Sequence, residues 1–168
     1  MSEDPSAAPK TVGFLLVPGF ALMSYAAAIE PLRAANLLAD KELYRWWHAA
    51  PSPEPVTASN GVAIIPDFGT GTDRPADLVF VCAGGNPATF SDKKSFAWLR
   101  RLARKGTILG GISGGPYILA RAGLLDERRA TPHWEHLPAF REAFPDVTVV
   151  PSLFEIDGNR ITCSGGIS

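Results

Sequence analysis

Ser113 sits within Gly110-Gly111-Ile112-Ser113-Gly114-Gly115-Pro116, directly after the apolar run Thr107-Ile108-Leu109. The order reads as a buried strand that turns sharply into a helix, with the serine at the apex. Glycines on both sides let the backbone approach itself and adopt the torsions such a turn demands. Pro116 suits the first turn of the following helix, where its missing N–H is no loss. The pattern is G-x-S-x-G, a nucleophile elbow, and it raises a serine hydrolase as one reading. A serine nucleophile needs a general base, and His133 in Thr131-Pro132-His133-Trp134 is the candidate. The acid that would orient it is Glu135, Glu155 or Asp157, and no spacing selects among them. The pieces of a Ser–His pair are present, but a triad is not established.

The same turn has a use without chemistry. Backbone N–H groups at Gly114 and Gly115, with those near Gly85, form a ready site for an anion such as a carboxylate. Ser113 then donates from its hydroxyl. His133 and His136 lack a third ligand, so no metal is expected, and no cofactor is called for.

Elements that position these residues follow from hydrophobic periodicity. Residues 12–17 and 78–81 are unbroken apolar runs, each ending in turn residues (Pro18-Gly19 and Ala83-Gly84-Gly85), as strands buried on both faces do. An Ala-rich helix is expected over 22–38, with Leu22, Ala26, Ile29, Leu32, Arg33 and Asn36 near one stripe. Residues 45–49 form a short aromatic strand, from which Trp46 and Trp47 must point to opposite sides. Residues 56–65 carry Asn60-Gly61, a signal for a type I′ hairpin. Ser91 is expected to cap a helix running to Lys105, with Phe96, Leu99, Leu102 and Ala103 inward. Beyond the elbow, a helix over 116–122 ends at Gly123, and a second helix spans 135–144. Strands follow at 147–150, 153–156 and 160–163, the last after an Asp157-Gly158-Asn159 turn.

Strands alternating with helices imply a mainly parallel sheet covered on both faces. The fold class is α/β, a flavodoxin-like three-layer sandwich with Ser113 at a strand–helix junction. Ligands in such sheets bind beyond the carboxyl ends of the strands. Three loops meet there: Pro18-Gly19-Phe20, Ala83-Gly84-Gly85-Asn86 and Ser113-Gly114-Gly115.

Composition bounds the function. The chain has 168 residues, 46% hydrophobic and 20% charged, enough for one sizeable core. Sixteen basic residues against 17 acidic give a net charge of −1, which lacks the footprint of a nucleic-acid-binding domain. Arg100, Arg101, Arg104 and Lys105 at a helix end, and Arg128 with Arg129 in a loop, read as solvated faces or dimer contacts. Two cysteines without CxxC spacing, no export signal and no run of about 20 apolar residues point to a cytoplasmic protein. Residues 1–10 read as a disordered lead-in. The chain ends at Ser168 shortly after a strand and Ser164-Gly165-Gly166, a sequence that usually opens a helix. The domain over 11–168 therefore reads as truncated.

Several motifs together carry a family resemblance. They are residues 109–125, Thr131-Pro132-His133-Trp134-Glu135, Leu153-Phe154-Glu155-Ile156-Asp157, Val17-Pro18-Gly19-Phe20 and Ile29-Glu30-Pro31-Leu32-Arg33-Ala34-Ala35-Asn36. They resemble the amino-terminal sensor domain of AraC-type transcriptional regulators of the GlxA kind, within the class I glutamine-amidotransferase-like (PfpI/ThiJ) superfamily. Leu43-Tyr44-Arg45-Trp46 and Thr162-Cys163-Ser164-Gly165-Gly166 are most similar to activators of carnitine, glycine betaine and arginine catabolism. The resemblance implies a small-molecule effector, a homodimer, and DNA binding through a carboxy-terminal domain not contained in this chain. Catalytic members carry cysteine at the apex where this chain has Ser113, and often an acidic residue beside it, whereas residues 20–28 hold none and Glu30 lies further along. The implied role is ligand sensing without catalysis, with a Ser-dependent amidase or hydrolase as the alternative. The effector is then a small zwitterion, its carboxylate at Ser113, Gly114 and Gly85. Its cationic end lies towards His133 and Trp134, a ring face worth ~0.5–2 kcal/mol to a quaternary ammonium. Trp98 and one of Trp46 and Trp47 are assigned to the core, and His48 to a satisfied structural role.

Overall fold

The computed structural model describes residues 8–166. Its strands are β1 (Lys10–Leu16), β2 (Tyr44–Ala50), β3 (Val56–Thr57), β4 (Ala63–Ile64), β5 (Phe68–Gly69), β6 (Leu78–Ala83), β7 (Ile108–Ser113), β8 (Arg129–Ala130), β9 (Thr148–Val149), β10 (Phe154–Asp157) and β11 (Arg160–Cys163). The helices are α1 (Leu22–Ala39), α2 (Lys93–Arg104), α3 (Gly115–Arg121) and α4 (Leu137–Ala143). Seven strands form the central sheet in the order β10-β11-β7-β6-β1-β2-β5. Every pairing in it is parallel except the edge hairpin of β10 with β11. The chain begins in the middle, builds outwards through β2 and β5, then returns to lay β6 on the other side of β1. That reversal makes the carboxyl ends of β1 and β6 the switch point, where open sheets of this class hold ligands.

Both faces are covered, so the sheet is the middle of three layers. Along β1 the alternation sends Leu15 to the core beneath α2, α3 and α4, and Val12, Phe14 and Leu16 to the core beneath α1. Trp47 and Trp98 lie in the first core with their rings 6.0 Å apart, and Trp46 packs against the second. Among the described residues, no helix is long and apolar enough to cross a membrane.

Several local expectations are corrected. Lys10 belongs to β1 and pairs with Asp77, Ala8 and Pro9 precede it outside any regular element, and residues 1–7 of the expected lead-in lie outside the described residues. The α2 cap is Asp92 and not Ser91, because the Asp92 carboxylate reaches the Ser95 N–H at 2.9 Å. Residues 134–136 form a 3-10 turn before α4, which shortens that helix. The β3–β4 hairpin forms, but its turn is not type I′, since Gly61 has φ +88° while Asn60 is not left-handed. Ala58 accepts from Gly61 N–H at 3.0 Å, so the glycine follows the turn instead of lying inside it. In α1, Leu22, Ile29 and Leu32 pack inward as expected, joined by Tyr25 and Ala28. Asn36 leaves the stripe to accept the Leu43 and Tyr44 N–H groups, pinning the turn into β2.

Candidate functional site

Ser113 is the last residue of β7 and holds φ +60°, a left-handed conformation that costs a non-glycine residue ~1–2 kcal/mol. The register of β7 on β6 sets Ser113 beside Ala83, and α3 begins two residues later. The residue is 7% exposed. The expected strand–turn–helix elbow is therefore present, with its torsional strain at the apex.

The three loops named from sequence converge on it. Gly84 lies against the first loop: a Cβ there would be 2.7 Å from the Gly19 carbonyl oxygen, so only glycine permits the approach. Gly114 faces Ala83 and Pro87 of the second loop. A fourth segment, not assigned to the site from sequence, closes over the serine from β11. A Cβ on Gly165 would lie 2.7 Å from Ser113 Cβ and 3.1 Å from its Oγ. Gly166 N–H then donates to Ser24 Oγ on α1 at 2.9 Å, tying this lid to the opposite layer. The Ser-Gly-Gly sequence after a strand was its only signal.

The anion site differs in detail from the expectation. The Gly114 N–H donates to the Ala83 carbonyl at 3.0 Å, so it holds two loops together and is not aimed at a ligand. Gly85, with φ +57°, stands where its side has no neighbour within 4 Å. Asn86 steadies that loop by accepting the Ala88 N–H at 3.2 Å, and Arg121 at the end of α3 donates to the Ala88 and Phe90 carbonyls.

His133 is brought beside the elbow through its backbone, its N–H donating to the Ser113 carbonyl at 3.3 Å. Among the described residues no side-chain hydrogen bond joins His133 to Ser113. The imidazole Nδ1 instead accepts the Glu135 N–H at 3.4 Å and lies 3.6 Å from the Glu135 carboxylate. Nδ1 thus faces both a backbone donor and a carboxylate acceptor of Glu135, two long contacts that hold the ring without selecting which nitrogen carries its proton. The other two candidate acids are engaged elsewhere. Glu155 pairs with Arg129 at 2.8 Å, and Asp157 accepts the Arg129 N–H. Trp134 does not turn inward: it is 68% exposed, tilted over His133 with ring centroids 5.6 Å apart. His136 packs edge-on to Tyr117, and burial pushes its pKa down. Burial pushes both cysteine thiols up, Cys82 the more so, which disfavours the thiolate form in each. Cavities at the amino ends of the strands, such as the one of about 520 Å³ between Lys10, Tyr44 and Thr107, lie at the far end of the sheet from Ser113.

Comparison with known proteins agrees with this arrangement. The DJ-1/PfpI family matches residues 10–167. The HTH-type transcriptional regulator GlxA of Rhizobium meliloti is 49% identical over 158 residues, which are 94% of this chain and 49% of that protein. The HTH-type transcriptional regulator CdhR of Pseudomonas aeruginosa is 48% identical over 153 residues, 91% of this chain and 45% of its own length. The chain thus spans about half the length of these curated relatives. Among solved structures, an AraC family transcriptional regulator from Pseudomonas putida superposes with a TM-score of 0.80 at 25% identity, covering 94% of this chain and 85% of that one. With an elbow at the end of β7, loops converging on it and a family match over residues 10–167, the chain belongs to the DJ-1/PfpI family.

Proposed function

We propose that this domain is the effector sensor of a DNA-binding transcriptional regulator, and that its elbow binds a small zwitterion without turning it over. The observation that carries this reading is the state of His133. Its ring is engaged through Nδ1 with the Glu135 N–H and carboxylate and makes no side-chain bond to Ser113, so the elbow keeps its shape without a proton relay. Such a turn still offers donors. The Ser113 hydroxyl and the Gly85 N–H suit a carboxylate, while the exposed Trp134 ring tilted over His133 suits a quaternary ammonium or guanidinium. Similarity to GlxA and CdhR supports the regulatory role. The ligand class rests on the resemblance of Leu43-Tyr44-Arg45-Trp46 and Thr162-Cys163-Ser164-Gly165-Gly166 to activators of carnitine, glycine betaine and arginine catabolism. DNA is contacted by a helix-turn-helix domain in the longer protein, which works as a cytoplasmic homodimer. The effector acts by binding one state of that dimer more tightly, and ~1–3 kcal/mol of difference suffices.

Calorimetry with glycine betaine, carnitine and arginine tests this. At least one binds the wild-type domain. Gly114→Val presses on Ala83 and Pro87 and abolishes binding. Trp134→Ala weakens it by ~1 kcal/mol. Equal binding to all three proteins removes the elbow as the sensor site.

A further inference from the structure

Between α1, β1 and β2 lies a chain of titratable groups that effector binding leaves unused. The Tyr25 hydroxyl on α1 is 2.8 Å from His48 Nε2 on β2. His48 Nδ1 is 3.5 Å from Asp67 Oδ2, and the same oxygen accepts the His48 backbone N–H at 2.6 Å. Phe14 of β1 stacks on the imidazole at 5.9 Å and meets Tyr25 edge-on at 5.6 Å. Asp67 can only accept, so Nδ1 carries the ring proton, and Nε2 presents its lone pair to the Tyr25 O–H.

Tyr25 reaches the site by two routes. Its ring packs edge-on against Phe20 at 5.8 Å, and Phe20 belongs to the loop under Gly84, held by Phe20 N–H to the Val17 carbonyl and Ser59 N–H to the Phe20 carbonyl. Its neighbour Ser24 holds Gly166, next to the Gly165 that rests on Ser113.

We propose that Asp67, His48 and Tyr25 form an acid-sensitive latch on the first turns of α1, through which pH sets how firmly the loops around Ser113 are held. Its consequence for an effector rests on the sensor reading above; its operation does not. With His48 neutral, Tyr25 donates and the latch is closed. A proton arriving at Nε2 converts that atom into a donor. The Tyr25 oxygen must then accept, and its own hydrogen loses the acceptor it had. A charged ring is left 17% exposed against Phe14, so the closed arrangement is disfavoured. Tyr25 does not ionise to compensate, since burial first, then Cys82 on β6, Glu30 on α1 and Asp67, push it up to about 12. Asp67 favours the imidazolium from the Nδ1 side, but burial outweighs it and holds His48 below its ordinary 6.5. β1 contributes only the uncharged Phe14 ring. The opened form therefore binds the proton more readily than the closed one. The latch contributes fully above the ordinary histidine value and is lost as pH falls through the lower value of the closed state.

Hydrogen exchange and nitrogen NMR on the intact protein between about pH 5 and 8 read this directly. At the upper end the His48 ring shows the Nδ1–H tautomer. The Phe20, Tyr25 and Ser59 amides, corrected for free-peptide rates, lose about tenfold in protection towards the lower end. His48→Gln removes that pH dependence. Should that variant fold poorly, Tyr25→Phe keeps the ring and Phe14 packing and flattens the dependence while His48 still titrates. A wild type with flat protection, an Nε2–H tautomer, or a Tyr25→Phe variant with unchanged pH dependence overturns the latch. Glycine betaine titrations run alongside separate the two readings. Absent binding with pH-dependent protection sinks the effector and leaves the latch. Intact binding with flat protection does the reverse.

Discussion

Under α2, α3 and α4 the sheet buries Trp98, Leu99, Leu119 and Phe140 almost completely, whereas α1, on the other face, buries only Ser24 among its 18 residues. The contrast begins in sequence. α2 sets Phe96, Trp98, Leu99 and Leu102 inward against Lys and Arg outward, an amphipathic helix with a single buried side. α1 spreads apolar residues beyond its inward side, with Met23, Leu37 and Leu38 exposed alongside the Glu30–Arg33 pair. Beside it a cavity of about 360 Å³ opens between Ala27, Ala28 and Leu32 on the helix and Phe154, Ile161 and Cys163 on the sheet. One face is thus a close-packed platform and the other a lightly seated helix. The first site loop and the Gly165–Gly166 lid are both tied to the lightly seated side, through Phe20 and Ser24. Placing adjustable contacts there lets the loops respond to a ligand while the platform fixes the strand ends.

Truncating the platform gives the largest effect. Trp98 is 1% exposed, packs on Trp47, and donates from Nε1 to the Thr72 carbonyl at 3.0 Å. Trp98→Ala lowers stability by ~3–5 kcal/mol in urea unfolding, because it removes a fully buried aromatic side chain together with its hydrogen bond to Thr72. Leu32→Ala on α1 removes a half-buried side chain at the rim of the open cavity and costs about 1 kcal/mol. If the two substitutions cost the same, the faces do not differ in packing and the comparison fails.

What was legible followed from how local each cause is. β1, β6 and β7 were read from unbroken apolar runs because strands buried on both faces need no partner to declare themselves. The elbow was read from glycines on either side of Ser113, since a left-handed apex with close backbone contacts has few other solutions. The direction of Trp134 was not legible, because the 3-10 turn over residues 134–136 decides which way the ring leaves the chain. Nor was the engagement of the Gly114 N–H, which depends on the pairing of Ala83 with Ser113 across two strands distant in sequence. Ser91 and Asp92 are both good caps by type, and only the reach of one carboxylate to Ser95 separates them. The Tyr25–His48–Asp67 chain was invisible for the same reason: three elements must dock before it exists.

The smallest expected effect lies at the apex itself. Ser113→Ala keeps a Cβ at φ +60°, so the torsional penalty is the same before and after, and no bond to His133 is lost. Unfolding free energy should change by no more than about 0.5 kcal/mol. The same serine, if it were a working nucleophile, would attack a fluorophosphonate, form a phosphorus–oxygen bond and expel fluoride. That attack needs a base to take the hydroxyl proton, and the His133 ring is engaged with Glu135 and makes no side-chain hydrogen bond to Ser113. Mass spectrometry of wild-type protein treated with the probe should therefore find Ser113 unmodified, with Ser113→Ala as the reference. Labelling of Ser113 well above other serines would mean that His133 reorients in solution. The elbow would then be a catalytic one, and the hydrolase would displace the sensor as the function of this domain.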